Sequence, residues 1–114
     1  MSKIKLLKYP KYEVEMTKSS VNDLNEIIDF IAKNNHKSAV KVLKIINSKM
    51  KILNTFPYRA GFVPELLVRN IKDYRQISEA QWRIIFKLNE NIVSVLAIID
   101  SKRNFQNILI KKLL

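Results

Sequence analysis

The chain has no cysteine, a single glycine and a single histidine in 114 residues. Without cysteine there is no disulfide framework, no thiolate nucleophile and no zinc–thiolate site. One glycine, Gly61, excludes the glycine-rich loops that cradle phosphates in nucleotide-binding folds. One histidine, His36, leaves neither a supported Ser-His-Asp triad nor a multi-histidine metal centre within easy reach. No metal and no cofactor are therefore expected. No apolar run approaches the roughly 20 residues of a membrane span, so no membrane partner is expected either. The basic N-terminus MSKIKLLKYPKY carries too short an apolar run for a signal segment. A reducing, cytoplasmic setting is the expectation.

Acid is also scarce. Twenty-one Lys and Arg against ten Asp and Glu give a net charge of +11. Between Asp29 and Glu65 the chain holds Lys33, Lys37, Lys41, Lys44, Lys49, Lys51 and Arg59 without one carboxylate. Such asymmetry points to a polyanionic partner, either nucleic acid or an acidic protein. The apolar content, 47%, is that of a globular chain, and the length suits one domain with a core of its own.

Residues 73–103 carry the clearest periodicity. In 82–88, Trp82, Ile84, Phe86 and Leu88 alternate with Arg83, Ile85 and Lys87, the period of a strand. Segment 92–99, IVSVLAII, is apolar on both faces and β-branched, which predicts a central strand covered on both sides. With 73–78 ahead of them and Asn89, Glu90 and Asn91 as turn chemistry, these form a three-strand meander. Segment 12–16 alternates and predicts a first strand.

Val21, Leu24, Ile27, Ile28 and Ile31 fall at helical spacing, predicting an amphipathic helix over 21–33 that opens on a Ser20–Asp23 capping box. Asn34 and Asn35 end it, with His36 in the break. A second helix over 37–54 buries Ala39, Val42, Leu43, Ile46, Met50 and Leu53, and turns Lys37, Lys41, Lys44 and Lys51 outward. That stripe is either a solvated face or a phosphate-contacting one. Pro57, Gly61 and Pro64 mark a loop, and Asn104 can cap a short final helix bearing Phe105, Ile108, Leu109 and Leu113. Residues 1–11 read as a basic arm ahead of a single domain over 12–114.

Two positions stand out chemically. Glu65 is a lone acid among basic residues, and could be a general base or a partner for Arg59, Arg69 or Arg75. Arg83 points away from Trp82, Ile84 and Phe86, on a face where Arg75 and Arg103 could join it. Such a cluster needs an anion, whether an internal carboxylate (Asp73, Glu79, Asp100 or Glu65), a phosphate or an acidic partner. Arg75, Arg83, Lys87, Lys102 and Arg103 are the candidate phosphate- or partner-binding cations.

The order of strand, two helices, loop, three-strand meander and tail resembles the RelE/ParE superfamily of toxins from bacterial toxin–antitoxin modules. The segments that carry it are DLNEIIDFIA, FPYRAGFVPEL, DYRQI, QWRIIFKL and VSVLAIIDSKRN with its apolar tail. The resemblance implies an α+β fold: a twisted antiparallel sheet, formed by the N-terminal strand and the meander, with a helical hairpin on one face and a short C-terminal helix. It also implies an antitoxin with an acidic, partly disordered segment, held in a toxin–antitoxin hetero-oligomer.

Function divides within the superfamily. RelE-like members cleave mRNA on the ribosome, whereas ParE-like members inhibit DNA gyrase. Arg83 in QWRIIF, Arg103 in DSKRN and Glu65 in VPEL match positions that the nuclease branches use. Departures accompany these matches. The position near Leu109 where a tyrosine is common is apolar, the terminal His-Tyr pair is absent, and an expected lysine pair becomes Arg75 and Ile77. The proton-transfer set is incomplete, which favours the gyrase-inhibiting, replication-blocking branch. An mRNA endoribonuclease, or a plain nucleic-acid-binding module, is the alternative.

Overall fold

The computed structural model describes residues 11–113. Most of the expected basic arm, 1–10, lies outside the described residues. The elements are β1 (Glu13–Met16), α1 (Lys18–Ala32), α2 (His36–Ile52), a 3-10 turn (Pro57–Arg59), β2 (Gly61–Phe62), α3 (Pro64–Leu67), β3 (Arg75–Glu79), β4 (Trp82–Asn89), β5 (Ile92–Asp100) and α4 (Phe105–Leu113). The fold class is the expected α+β arrangement.

One sheet runs in the order β1-β5-β4-β3-β2. The meander β3–β4–β5 is antiparallel, and β2 pairs antiparallel to β3. β1 instead joins β5 in parallel, with Glu13 opposite Ile92 and Met16 opposite Val95. The sheet is thus mixed rather than wholly antiparallel. A tight hairpin can return a chain only antiparallel, while β1 is followed by two helices.

β4 and β5 separate two cores. On one face Ile84, Phe86, Val93, Val95 and Ile98 pack beneath Ile46, Met50 and Leu53 of the α2 end of the hairpin. On the other, Ile85, Ala97 and Ile99 pack beneath Val63, Leu66, Phe105 and Leu109. The expectation of a central strand covered on both sides holds for β5. Its face assignments change phase midway. Phe86 pairs with Val95 and Ile85 with Ala97, so Leu96 is an unopposed bulge residue. Strict alternation would have put Val93, Val95, Ala97 and Ile99 on one face; the bulge lets the first two serve one core and the last two the other.

Helix starts differ from expectation. α1 is capped by Thr17, whose hydroxyl accepts from Ser20 N–H at 3.2 Å. Ser20 lies inside the first turn and donates to the Thr17 carbonyl at 2.8 Å, so the Ser20–Asp23 capping box does not form. An extended hydroxyl residue immediately after β1 wins the cap. Asn35 caps α2 by accepting from Ser38 N–H at 3.1 Å, so His36 opens that helix, exposed, instead of sitting in a break.

Both meander turns place a non-glycine residue at positive φ, Ala80 at 53° and Glu90 at 55°. A side chain costs about 1–2 kcal/mol in this region, part of which glycine returns through the freer unfolded chain. Ala80→Gly and Glu90→Gly should therefore each stabilise the protein by about 0.5–1 kcal/mol. Thermal unfolding should show Tm rising by roughly 2–6 °C for each.

Candidate functional site

The face beneath α4 brings together Glu65 and Arg83, two of the groups that the sequence singled out. Alternation along β4 puts Arg83 and Lys87 on the same side as Ile85, away from Ile84 and Phe86, as expected. α3 brings the carboxylate. Val63, fully buried, is its extended N-cap and Pro64 follows at the first helical position. Glu65 then falls in the first turn, where the helix dipole favours an anion.

Glu65 and Arg83 meet side-on. Arg83 Nη1 donates to Glu65 Oε2 and Nη2 donates to Oε1, both at 2.8 Å. Arg83 Nε also donates to Gln76 Oε1 at 2.9 Å, and Nη2 approaches the same oxygen. The guanidinium lies over the Phe105 ring of α4, with Cζ 3.6 Å from the centroid. One arginine thus joins β4, β3, α3 and α4. Its side chain is 13% exposed and that of Glu65 30%. The hydrogen bonds from Arg83 hold the Glu65 carboxyl below the ordinary carboxylate value. Partial burial opposes this, and the Glu65 backbone N–H and the Arg83 charge reinforce it.

A general base for a ribose hydroxyl works best with a pKa near the working pH. Glu65 is displaced away from that range and both its oxygens are occupied. Of the partners the sequence offered it, it takes Arg83, for which it was one of four candidate carboxylates, and not Arg59, Arg69 or Arg75.

The arginines are dispersed. Arg75 pairs in register with Phe86, which puts it on the hairpin face, opposite Arg83. There its Nη1 donates to the Ala60 carbonyl at 2.6 Å and the Tyr58 carbonyl at 3.3 Å, and its guanidinium covers Phe62. It holds the loop before β2, and the proposed cluster with Arg83 does not exist. Lys87 is exposed, with Nζ 5.9 Å from the Tyr74 ring centroid. Lys102 and Arg103 lie exposed in the turn after β5, where their backbone N–H groups bond Asp100 Oδ1 and the Asp100 carbonyl. No hydrogen bond or ion pair joins Arg103 to Glu65 or Arg83. Lys37, Lys41, Lys44 and Lys51 are all exposed along α2.

Sequence reasoning missed Gln76 and the stacking role of Phe105. Gln76 was within reach of it. Ser78 stands opposite Arg83, so Gln76 is its diagonal neighbour on the same face. Beside the pair, a cleft of about 220 Å³ runs between α3 and α4, lined by Glu65, Leu66, Arg69, Tyr74, Leu109 and Leu113 among others. Among the described residues no cluster of three or more His, Cys, Asp or Glu could hold a metal ion, and no helix is long and apolar enough to cross a membrane.

This arrangement defines a class of fold shared with toxins of toxin–antitoxin pairs. A structure of the chromosomal ParDE system from P. aeruginosa superimposes with a TM-score of 0.65 at 16% identity, covering 79% of this chain and 96% of the other. The RelBE2 toxin–antitoxin complex from Mycobacterium tuberculosis gives 0.53 at 18% identity, covering 82% and 94%. Comparison with curated proteins gives no match. Residues 14–105 match the family model described as ParE toxin of type II toxin-antitoxin system, parDE. The chain belongs to that family, and is a toxin of the type II class.

Proposed function

We propose that the protein inhibits DNA gyrase and blocks replication without hydrolysing nucleic acid itself, and that a cognate antitoxin neutralises it in a hetero-oligomer. The observation that carries this reading is the closed Glu65–Arg83 pair. A phosphodiester-cleaving site needs a free base and a cation open to phosphate, whereas here Glu65 and Arg83 spend their hydrogen bonds on each other and on Gln76. Family membership and the toxin–antitoxin complexes among the similar structures support the antitoxin partner. An acidic segment that orders on binding suits a chain of charge +11. The same reading has the protein act in the cytoplasm.

The test is a cleavage assay with purified protein, gyrase from the same source, supercoiled plasmid and ATP. Trapped double-strand breaks should accumulate as linear DNA and disappear when antitoxin is added. Glu65→Gln protein that remains folded should give the same linear product. Absence of linear DNA from folded, growth-inhibiting protein would transfer the function to mRNA cleavage on the ribosome, to be read by mapping mRNA ends.

A further inference from the structure

We infer that the flank of α2 facing β3 is a docking surface for an acidic amphipathic helix of a partner protein. α2 packs on the face of the sheet opposite α4, so this surface is separate from the Glu65–Arg83 side. The inference is independent of whether gyrase is the target. The seat is a recess of about 250 Å³ between α2 and the end of β3, lined by Ile45 and Ile52. These two lie two helical turns apart, about 10.5 Å along the axis, a spacing that suits the successive apolar anchors of a docked helix. Ile52 is 49% exposed, and Val40, on the other flank of the outward lysines, is 42% exposed. Apolar surface therefore borders the lysines on both sides.

The surround is cationic. α2 holds five lysines and no acid in its 17 residues. Lys37, Lys41 and Lys44 follow one another at four and three residues, where like charges repel along a helix. Lys37 also sits in the first turn, where the helix dipole disfavours a cation and no acidic side chain is present. Carboxylates laid along this flank relieve both. Glu79, the acid in the recess wall, is paired with Lys49 at 3.9 Å, so with Lys44 the recess carries two cations against one anion.

The apolar groups select the kind of partner. A nucleic-acid backbone matches the lysines but brings nothing to cover Ile45 and Ile52. A second copy docking through the same face sets lysine against lysine. An apolar centre with a charged rim is the anatomy of a protein–protein contact, and an amphipathic helix with acidic edges supplies both halves.

The test is anisotropy of a labelled 18-residue peptide of leucine and glutamate, with its leucines at helical spacing, titrated with the full chain. A scrambled peptide of the same composition is the comparison, and should bind about tenfold more weakly. Ile52→Ser should weaken the patterned peptide about fivefold to tenfold, by taking apolar surface out of the contact. Lys41→Gln/Lys44→Gln should weaken it about fivefold and reduce its salt dependence. Both variants change only exposed side chains. Val68→Ser and Lys72→Gln/Lys111→Gln, exposed away from α2, should titrate like the wild type. The proposal is overturned if the patterned peptide does not bind, if the scrambled peptide binds as tightly, if the α2 variants keep wild-type affinity, or if the variants away from α2 lose as much. A 24-base-pair duplex whose affinity falls equally in Ile52→Ser would assign the surface to nucleic acid, and self-association lost in the same variant would assign it to a second copy; either result overturns the proposal.

Discussion

Arg83→Ala should lower stability by about 2–3 kcal/mol, less than the roughly 3–5 kcal/mol for breaking a fully buried ion pair because the Glu65 side chain is 30% exposed. The change strips Glu65 of both its 2.8 Å donors and uncovers the Phe105 ring. It also leaves Gln76 without the group it bonds. Glu65→Gln should cost less, about 1–2 kcal/mol, because an amide oxygen still accepts from the guanidinium. Urea unfolding of both variants gives the comparison. Equal losses would show that the charge of Glu65, and not the bonding capacity of Arg83, holds the joint.

The same pair sets a pH dependence with a definite sign. Glu65 has its carboxyl depressed in the folded state. Its stabilising contribution is complete above the ordinary carboxylate value and is lost as pH falls through the lower, folded value. Wild-type stability should therefore fall below about pH 4.5 more steeply than that of Glu65→Gln, whose curve lacks this component. Parallel curves would mean that Glu65 is equally ionised in both states, contrary to the geometry.

What the sequence revealed, and what it hid, follows from the range of the interactions involved. β4 was legible residue by residue because Trp82 to Leu88 alternate without interruption, and that alternation alone put Arg83 on the face away from Phe86. Arg75 was misplaced because its face depends on register carried through the Ala80–Gln81 turn, which bears no glycine or asparagine to announce its geometry. The bulge at Leu96 was invisible for a related reason. Every residue of 92–99 except Ser94 is apolar, so a shift of phase changes which core each residue serves without changing the pattern.

The site was legible in its members and not in its connections. Glu65 and Arg83 were both singled out, and Glu65 stood among four candidate carboxylates for Arg83, yet Arg59, Arg69 and Arg75 stood equally as its partners, because only the packing of α3 on the sheet decides between them. Phe105 was recognised as the apolar face of a helix. That α4 would lie over the arginine depends on the chain crossing to the uncovered side of β5, where Ala97 and Ile99 needed burial. That joint turns Glu65 and Arg83 toward each other and Gln76, where the residue types alone left both open to other partners.

Asp23 is the clearest case of a role set by distant structure, and its replacement should have the second large effect. β1 pairs with β5 only as far as Val95, after which Thr17 N–H bonds the Val95 carbonyl at 3.0 Å. Beyond that point the edge of β5 is open inside the protein. Asp23 fills it, accepting from the buried Ile98 N–H at 3.0 Å through Oδ2 while Oδ1 takes the Lys112 ammonium from α4. Lys112 also donates to Ser19 Oγ at 2.8 Å. Helices on opposite faces of the sheet are thus fastened to one strand through one carboxylate. Asp23→Ala should cost about 2–4 kcal/mol, since it orphans a buried amide and a half-buried cation together. Asp23→Asn keeps an acceptor for Ile98 and should cost about 1–2 kcal/mol. Lys112→Met leaves the Ile98 bond intact, so hydrogen exchange separates the two functions. The Ile98 amide should lose protection in Asp23→Ala beyond what global destabilisation explains, and keep it in Lys112→Met. Unchanged Ile98 protection in Asp23→Ala would mean that the strand edge finds another acceptor, and that Asp23 serves only to anchor α4.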